Sequence, residues 1–201
     1  MEESRVREMY HECERYSEGS TCNKRKVGAA LILPDDSIYY ATNGSVEDPC
    51  TRKGPDYCIR EQGPGPIEYF TCQSPCAEGA AMLKALGDSK PPTGGIIVTT
   101  YFPCERCTAL IIDSGISELY FGGFKNNESR PREWQYQVWM TENGVSVNQL
   151  LDDGIHHYDN RGVSWTFRQL AIRTTGVAFV GSLTKDAQLL DRLHASLRKP
   201  E

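Results

Sequence analysis

The sequence predicts an α/β fold in which a mixed five-stranded sheet is sandwiched between helices. Three observations carry this: a β-hairpin at 27–43, two strand–helix–strand units further on, and an amphipathic helix ahead of both. Residues 3–18 place Val6, Met9, Tyr10, Cys13 and Tyr16 on one stripe at about the 3.6-residue helical period, so this helix has a face to bury. VGAALIL (27–33) and SIYYATN (37–43) flank the turn residues Pro34-Asp35-Asp36-Ser37 and read as paired strands. Residues 44–75 make a long loop rich in Gly, Pro and Cys, and such a loop in a compact domain is usually functional or pinned. Ser74 and Pro75 suit the cap and first position of a helix that runs to Leu86 and stops at Gly87. GGIIVTTY (94–101) is a buried strand, PCERCTALIIDSG (103–115) a helix ending at Gly115, and ISELYFGG (116–123) a strand. Residues 131–142 follow as a helix and VSVNQL (145–150) as the last strand. Strand–helix–strand units pair in parallel through right-handed crossovers, here joined to an antiparallel hairpin.

The expected domain is 1–150, with 151–201 a C-terminal extension of unassigned role. In the extension, residues 165–181 offer one or two strands and 184–199 a helix, while His156 and His157 read as surface or turn residues.

With 201 residues, 39% hydrophobic and 24% charged, the chain can bury an ordinary core. The polar start MEESRVREMY does not read as a secretory signal, and the apolar runs are strand-sized, so a soluble cytoplasmic protein is expected. A net charge of −5 argues against a polynucleotide partner, which normally demands a basic surface. Eight cysteines in a reducing compartment point to metal binding or catalysis rather than disulfides.

Two short stretches concentrate the chemistry. In SPCAEGAA (74–81), Cys76 and Glu78 fall in the first turn of a helix. Taken singly they are a small buried hydrophobe and a complement to the helix dipole. In TTYFPCERC (99–107), Pro103 opens a second helix, and Cys104 and Cys107 at i, i+3 share one face. A CxxC alone is a redox pair, half a zinc site or plain core. A redox pair has no use for Cys76 and Glu78, whereas a catalytic zinc site does: three thiolates leave the fourth corner of a tetrahedron open to water, and Glu78 stands ready to handle that water's protons. Both helix N-termini would aim positive ends at the thiolates.

Cys76-Ala77-Glu78 followed by Pro103-Cys104-Glu105-Arg106-Cys107 resembles the signature of the zinc-dependent cytidine and deoxycytidylate deaminases. The chain looks most like the deoxycytidylate branch from about Cys22 to Leu150, including CNKRKVGAALIL, TNGS (42–45), CIREQG (58–63), Cys72 and TTYFPCERC. One departure is that this branch usually has histidine as the first zinc ligand, where this chain has Cys76, as cytidine deaminases do. A third thiolate makes the site one unit more negative and the metal a weaker Lewis acid unless neighbouring donors compensate.

The resemblance implies a zinc hydrolase acting on a cyclic amidine C–N bond. It would deaminate dCMP to dUMP and ammonia, with Cys76, Cys104 and Cys107 on the metal and Glu78 as proton shuttle. It also implies pyrimidine nucleotide metabolism, a homo-oligomer (commonly a hexamer) and dCTP or dTTP as effectors. The alternatives are a deaminase of another small cytosine nucleoside or nucleotide, or a zinc module without catalysis. On the substrate side, Asn43 is either the sugar-binding asparagine or a turn residue before Gly44, and Arg25 either meets a 5′-phosphate or belongs to a solvated basic run. Ala77, between Cys76 and Glu78, is a further candidate contact; Phe102 and Phe124 either stack on the base or pack in the core.

The other cysteines suggest a second metal. A turn at 34–37 makes paired positions sum to about 71, which sets Cys22 opposite residue 49, beside Cys50, while Cys58 and Cys72 bracket the following loop. Either these four thiols close a structural Cys₄ zinc site, as the resemblance suggests for the first two positions, or they remain unpaired or form a Cys58–Cys72 bridge.

Overall fold

In the computed structural model the described residues are 1–44, 53–54, 57–58, 74–124, 130–158 and 164–166. The chain divides into two compact units, Met1–Phe167 and Arg168–Glu201; the described residues all belong to the first.

Helix α1 (Glu3–Glu18) buries Val6, Met9 and Cys13, the inner edge of the predicted stripe, while Tyr16 stays 41% exposed. Strands β1 (Gly28–Ile32) and β2 (Ile38–Thr42) form the hairpin, running from Ile32↔Ile38 to Gly28↔Thr42. Partners therefore sum to 70 (32 + 38, 28 + 42), one residue short of the predicted register. The cause is a tight turn: the Asp36 N–H donates to the Leu33 carbonyl at 2.9 Å, and Asp36 takes a left-handed φ of 63°.

The remaining elements are helix α2 (Ala77–Gly87), strand β3 (Ile96–Tyr101), helix α3 (Glu105–Asp113), strand β4 (Glu118–Gly123), helix α4 (Arg130–Glu142) and strands β5 (Ser146–Leu151), β6 (Gly154–Tyr158) and β7 (Ser164–Thr166). Among the described residues the sheet has seven strands in the order β2-β1-β3-β4-β5-β6-β7. The β3–β4 and β4–β5 pairs are parallel, as two crossover helices require, and the other pairs are antiparallel. The two strands beyond the predicted five arise after Leu150. Asp152-Asp153 form a two-residue turn before Gly154 (φ 141°), so residues taken for a tail fold back as β6 beside β5. His156 and His157 consequently lie in β6 rather than in a turn.

Helix α2 also departs from expectation at its end. Gly87 remains helical, and the left-handed residue is Ser89 (φ 58°), with the Lys90 N–H closing onto the Ala85 carbonyl at 2.9 Å. Helix α3 stops where predicted: Gly115 (φ 70°) donates to the Ile112 carbonyl, and Ile116 reaches back to Ile111.

Alternating side chains divide the core between the faces of the sheet. Ala30, Ile32, Val98, Tyr120 and Leu150 pack with Val6, Met9 and Cys13 of α1. On the opposite face Leu31, Ile97, Leu119 and Phe121 pack with Met82 of α2, Ile111 of α3 and Met140 of α4. Strand β1 is buried throughout because both of its faces are covered. Gly28 allows α1 to come this close: a Cβ there would overlap the Cys13 carbonyl.

Candidate metal centre and active site

Cys76 and Cys104 occupy equivalent positions at the N-caps of α2 and α3. Their backbones are extended (φ −77°, ψ 151° and φ −75°, ψ 167°), and their carbonyls accept the opening helical bonds from Ala80 (2.9 Å) and Thr108 (2.8 Å). Cys76 itself, rather than Ser74, is thus the cap of α2, and neither cysteine side chain makes a capping hydrogen bond. Each thiol stands at the positive end of a helix. Cys107, one turn into α3, completes a cluster in which the three sulfurs lie within 4.8 Å of one another; Cys76 and Cys104 are 3.6 Å apart.

Glu78, the second residue of α2, is only 2% exposed, and its Oε2 accepts from the Cys107 thiol at 3.6 Å. Crowding so many acidic groups raises the thiol pKa values. The shared proton with Cys104, offset in part by Cys107, together with burial pushes Cys76 up to about 12. Cys107 is driven well above the ordinary thiol value by its two cysteine neighbours, burial and the Glu78 charge. Four ligands at about 2.3 Å from zinc in tetrahedral array sit roughly 3.8 Å apart, so the observed sulfur spacing fits that ion, with Cys76, Cys104 and Cys107 as its protein ligands.

The sequence-predicted substrate residues are each held by contacts of their own. Asn43 is carried toward α2 by the bond from the Gly44 N–H to the Pro75 carbonyl (3.1 Å). Its Oδ1 accepts from the Val27 N–H and the Ser20 hydroxyl (both 2.7 Å), and its Nδ2 donates to the Arg25 carbonyl (2.8 Å). The side chain therefore pins the entry of β1 to the exit of β2. The Arg25 guanidinium lies 5.0 Å above the Tyr101 ring, at the end of the strand that leads to Cys104. Ala77 is buried against Val27 and Ala29. Phe102 is fully buried in an aromatic trio, 5.0 Å from Phe121 and 5.7 Å from Phe124 between ring centroids, and Phe124 is half-buried. A cavity of about 350 Å³ lies elsewhere, between α1 and the ends of β3 and β4; Tyr10, Glu14, Lys26 and Tyr101 line it, and no member of the thiol cluster does.

For the suggested second metal, Cys22 is half-buried and Cys58 buried, while Cys50 and Cys72 lie outside the described residues. Asn23 joins the two segments, its Nδ2 donating to the carbonyls of Gly54 (2.7 Å) and Tyr57 (3.0 Å). The sequence reading singled out neither Asn23 nor Arg106, whose Nη2 lies 4.0 Å from the Cys76 sulfur. The signal for Arg106 was present: it sits between Cys104 and Cys107, in the same turn as two candidate metal ligands.

A sheet of this connectivity, with three thiols and a buried carboxylate gathered at two helix N-termini, places the molecule among the deaminase-fold proteins with a metal centre. Residues 2–123 match the cytidine and deoxycytidylate deaminase zinc-binding region, and the chain belongs to that family. The ComE operon protein 2 of Bacillus subtilis (strain 168) is 26% identical over 134 residues, 67% of each chain. Among solved structures, the dCMP deaminase of cyanophage S-TIM5 in complex with dCMP and dUMP is similar over 75% of this chain and 99% of its own, with a TM-score of 0.53 and 22% identity. A diaminohydroxyphosphoribosylaminopyrimidine deaminase/reductase from Thermotoga maritima is similar over 73% of this chain and 36% of its own, at a TM-score of 0.52 and 18% identity. At such identities the structural likenesses establish the fold. No helix among the described residues is long and apolar enough to cross a membrane.

Proposed function

We propose that this protein is a hydrolytic deaminase of deoxycytidine monophosphate, converting dCMP and water to dUMP and ammonia. One observation carries the reading: a buried carboxylate, Glu78, lies 3.6 Å from one thiol of a three-cysteine cluster built at two helix N-termini. Cys76, Cys104 and Cys107 would hold a zinc ion, which would supply Lewis acidity near neutral pH. Glu78 would take a proton from the attacking water and pass it to N3 of the cytosine ring, then move the proton of the hydroxyl added at C4 to the departing amine, so that ammonia leaves and the C4 carbonyl forms. Burial excludes bulk water from the Glu78 carboxylate, so its protons pass to the substrate. Asn43 would offer its remaining Nδ2 proton to the sugar, Arg25 its guanidinium to the 5′-phosphate, and the exposed edge of Phe124 a surface for the base. Ala77 and Phe102 shape the wall behind them.

The choice of dCMP is supported by the deoxycytidylate-like motifs and by the likeness to a phage enzyme whose structure holds dCMP and dUMP. Cys76 as first ligand favours a second reading, a small cytosine nucleoside or a modified cytosine nucleotide as substrate. The same resemblance supports a cytoplasmic homo-oligomer in pyrimidine nucleotide metabolism, responsive to dCTP or dTTP. A second, structural zinc at Cys22, Cys50, Cys58 and Cys72 is supported by the Asn23 bridge between the first and third of these segments.

The test is ammonia release from dCMP, dCTP, deoxycytidine, cytidine and single-stranded DNA. Turnover of dCMP is expected to exceed the others, and turnover of nucleosides alone would exclude the leading reading. Glu78→Gln should retain zinc yet lose at least about 10²-fold in kcat, because the amide cannot take a proton.

A further inference from the structure

We infer that Gln149, oriented by the Tyr158 hydroxyl from β6, is a positioning residue for Phe124, the side chain that offers its edge to the base in the proposed site. The inference rests on the dCMP-deaminase reading and brings β6 into the support of the active site.

Phe124 follows Gly122 and Gly123, the last two residues of β4. Gly122 has to be glycine, because a Cβ there would fall on the Tyr10 hydroxyl. Two successive glycines leave the backbone free to swing, so a ring placed after them is held only if their peptide groups are tied. Both carbonyls are tied. That of Gly123 accepts the Phe102 N–H at 2.8 Å, from the chain leading out of β3. That of Gly122 accepts from the Gln149 Nε2 at 3.2 Å. Strands β4 and β5 pair as far as Phe121↔Gln149, and the Gln149 amide takes the next carbonyl in place of a backbone N–H.

A glutamine in the buried part of a strand needs both ends of its amide satisfied. Gln149 is 8% exposed, and its Oε1 accepts from the Tyr158 hydroxyl at 2.7 Å. Tyr158 stands opposite Val147 on β5, so it shares a face with Gln149 and reaches it diagonally. With the tyrosine donating to Oε1, the Nε2 proton is directed at the Gly122 carbonyl. The Tyr158 ring also lies 6.2 Å from that of Phe121, which lies 5.1 Å from Phe124 between centroids. Tyr158 thus supports Phe124 along two routes, through the Gln149 amide to its backbone and through Phe121 to its ring.

The experiment compares the full chain with Tyr158→Phe, Gln149→Leu, Phe124→Ala and the double variant Gln149→Leu/Phe124→Ala. It measures KM and kcat on dCMP and the Kd of dUMP by calorimetry, with urea unfolding to verify the folded state. Leucine suits the apolar face that Val147 and Phe121 share, and phenylalanine keeps the Tyr158 ring, so both single variants should fold. Gln149→Leu and Tyr158→Phe are expected to raise KM and Kd roughly 5-fold, the range of one or two buried hydrogen bonds, with kcat within about 2-fold of wild type. In the double variant the Gln149 change should add nothing to the Kd of Phe124→Ala, because it acts through that ring. Unchanged KM and Kd in both variants would overturn the inference. So would a fall in kcat alone, or full additivity in the double variant, since the effect would not then pass through Phe124. Wild-type protein that neither binds dUMP nor turns over dCMP would overturn the functional reading itself, and this role with it.

Discussion

At the scale of single residues, identical side chains differ here according to what surrounds them. Cys13 and Cys76 are both thiols whose pKa is pushed to about 12, but for different reasons. For Cys13 burial comes first and neighbouring acidic charges second, and its sulfur donates to the Val98 carbonyl at 3.5 Å inside the core. For Cys76 the leading cause is the hydrogen bond shared with a second thiol, that of Cys104. Cys13 is therefore a packing residue. It should resist iodoacetamide in the native protein at pH 8 and react only after denaturation, as peptide mapping would show; ready labelling of native protein would contradict its burial.

At the scale of elements, close approach of backbones decides what can be substituted. Gly28 lets α1 lie on β1, and a Cβ there would meet the backbone of Cys13 rather than a movable side chain. Gly28→Ala should cost about 2–3 kcal/mol or more, read as a lower midpoint in urea unfolding at unchanged slope. The β5–β6 hairpin gives a second expectation. Burial lowers the pKa of His157, with Glu118 opposing, so the folded state disfavours its proton. Stability from this residue is complete above the ordinary histidine value of about 6.5 and is lost as pH falls through it. His157→Gln should flatten that acid limb in thermal melts between pH 7.5 and 5; an unchanged limb would assign the loss to other groups.

At the scale of the molecule, the thiol cluster joins α2 to α3, which stand on opposite sides of β3 in the chain. Metal binding there couples to folding, because the unfolded chain has no preformed site. Chelation should lower the melting temperature by roughly 5–10 °C if the metal is bound at about 100 times its dissociation constant. Elemental analysis of unchelated protein should find two zinc ions per chain if the Cys22-Cys50-Cys58-Cys72 site exists, and one if it does not.

The sequence by itself determined the helix and strand pattern through Leu150, because hydrophobic periodicity and turn residues are local. It also singled out Cys76, Glu78, Cys104 and Cys107 as candidates, because the helix-opening prolines and the i, i+3 spacing set those groups in the first turns of two helices; the packing of the helices then gathered the three thiols. It came within one residue of the hairpin register, since the left-handed turn at Asp36 depends on closure between Leu33 and Ser37. The DDG turn at 152–154 was legible as turn chemistry, but a turn does not say which strand its return will pair with. Only the tertiary structure decided that the return extends the sheet, that Phe102 is buried at zero exposure, and that Asn43 is held by Ser20 and the backbone of residues 25–27. It alone brought Arg106 to a sulfur on another helix. Such contacts join residues far apart in sequence, where the packing of whole elements, rather than any local preference, sets the distance.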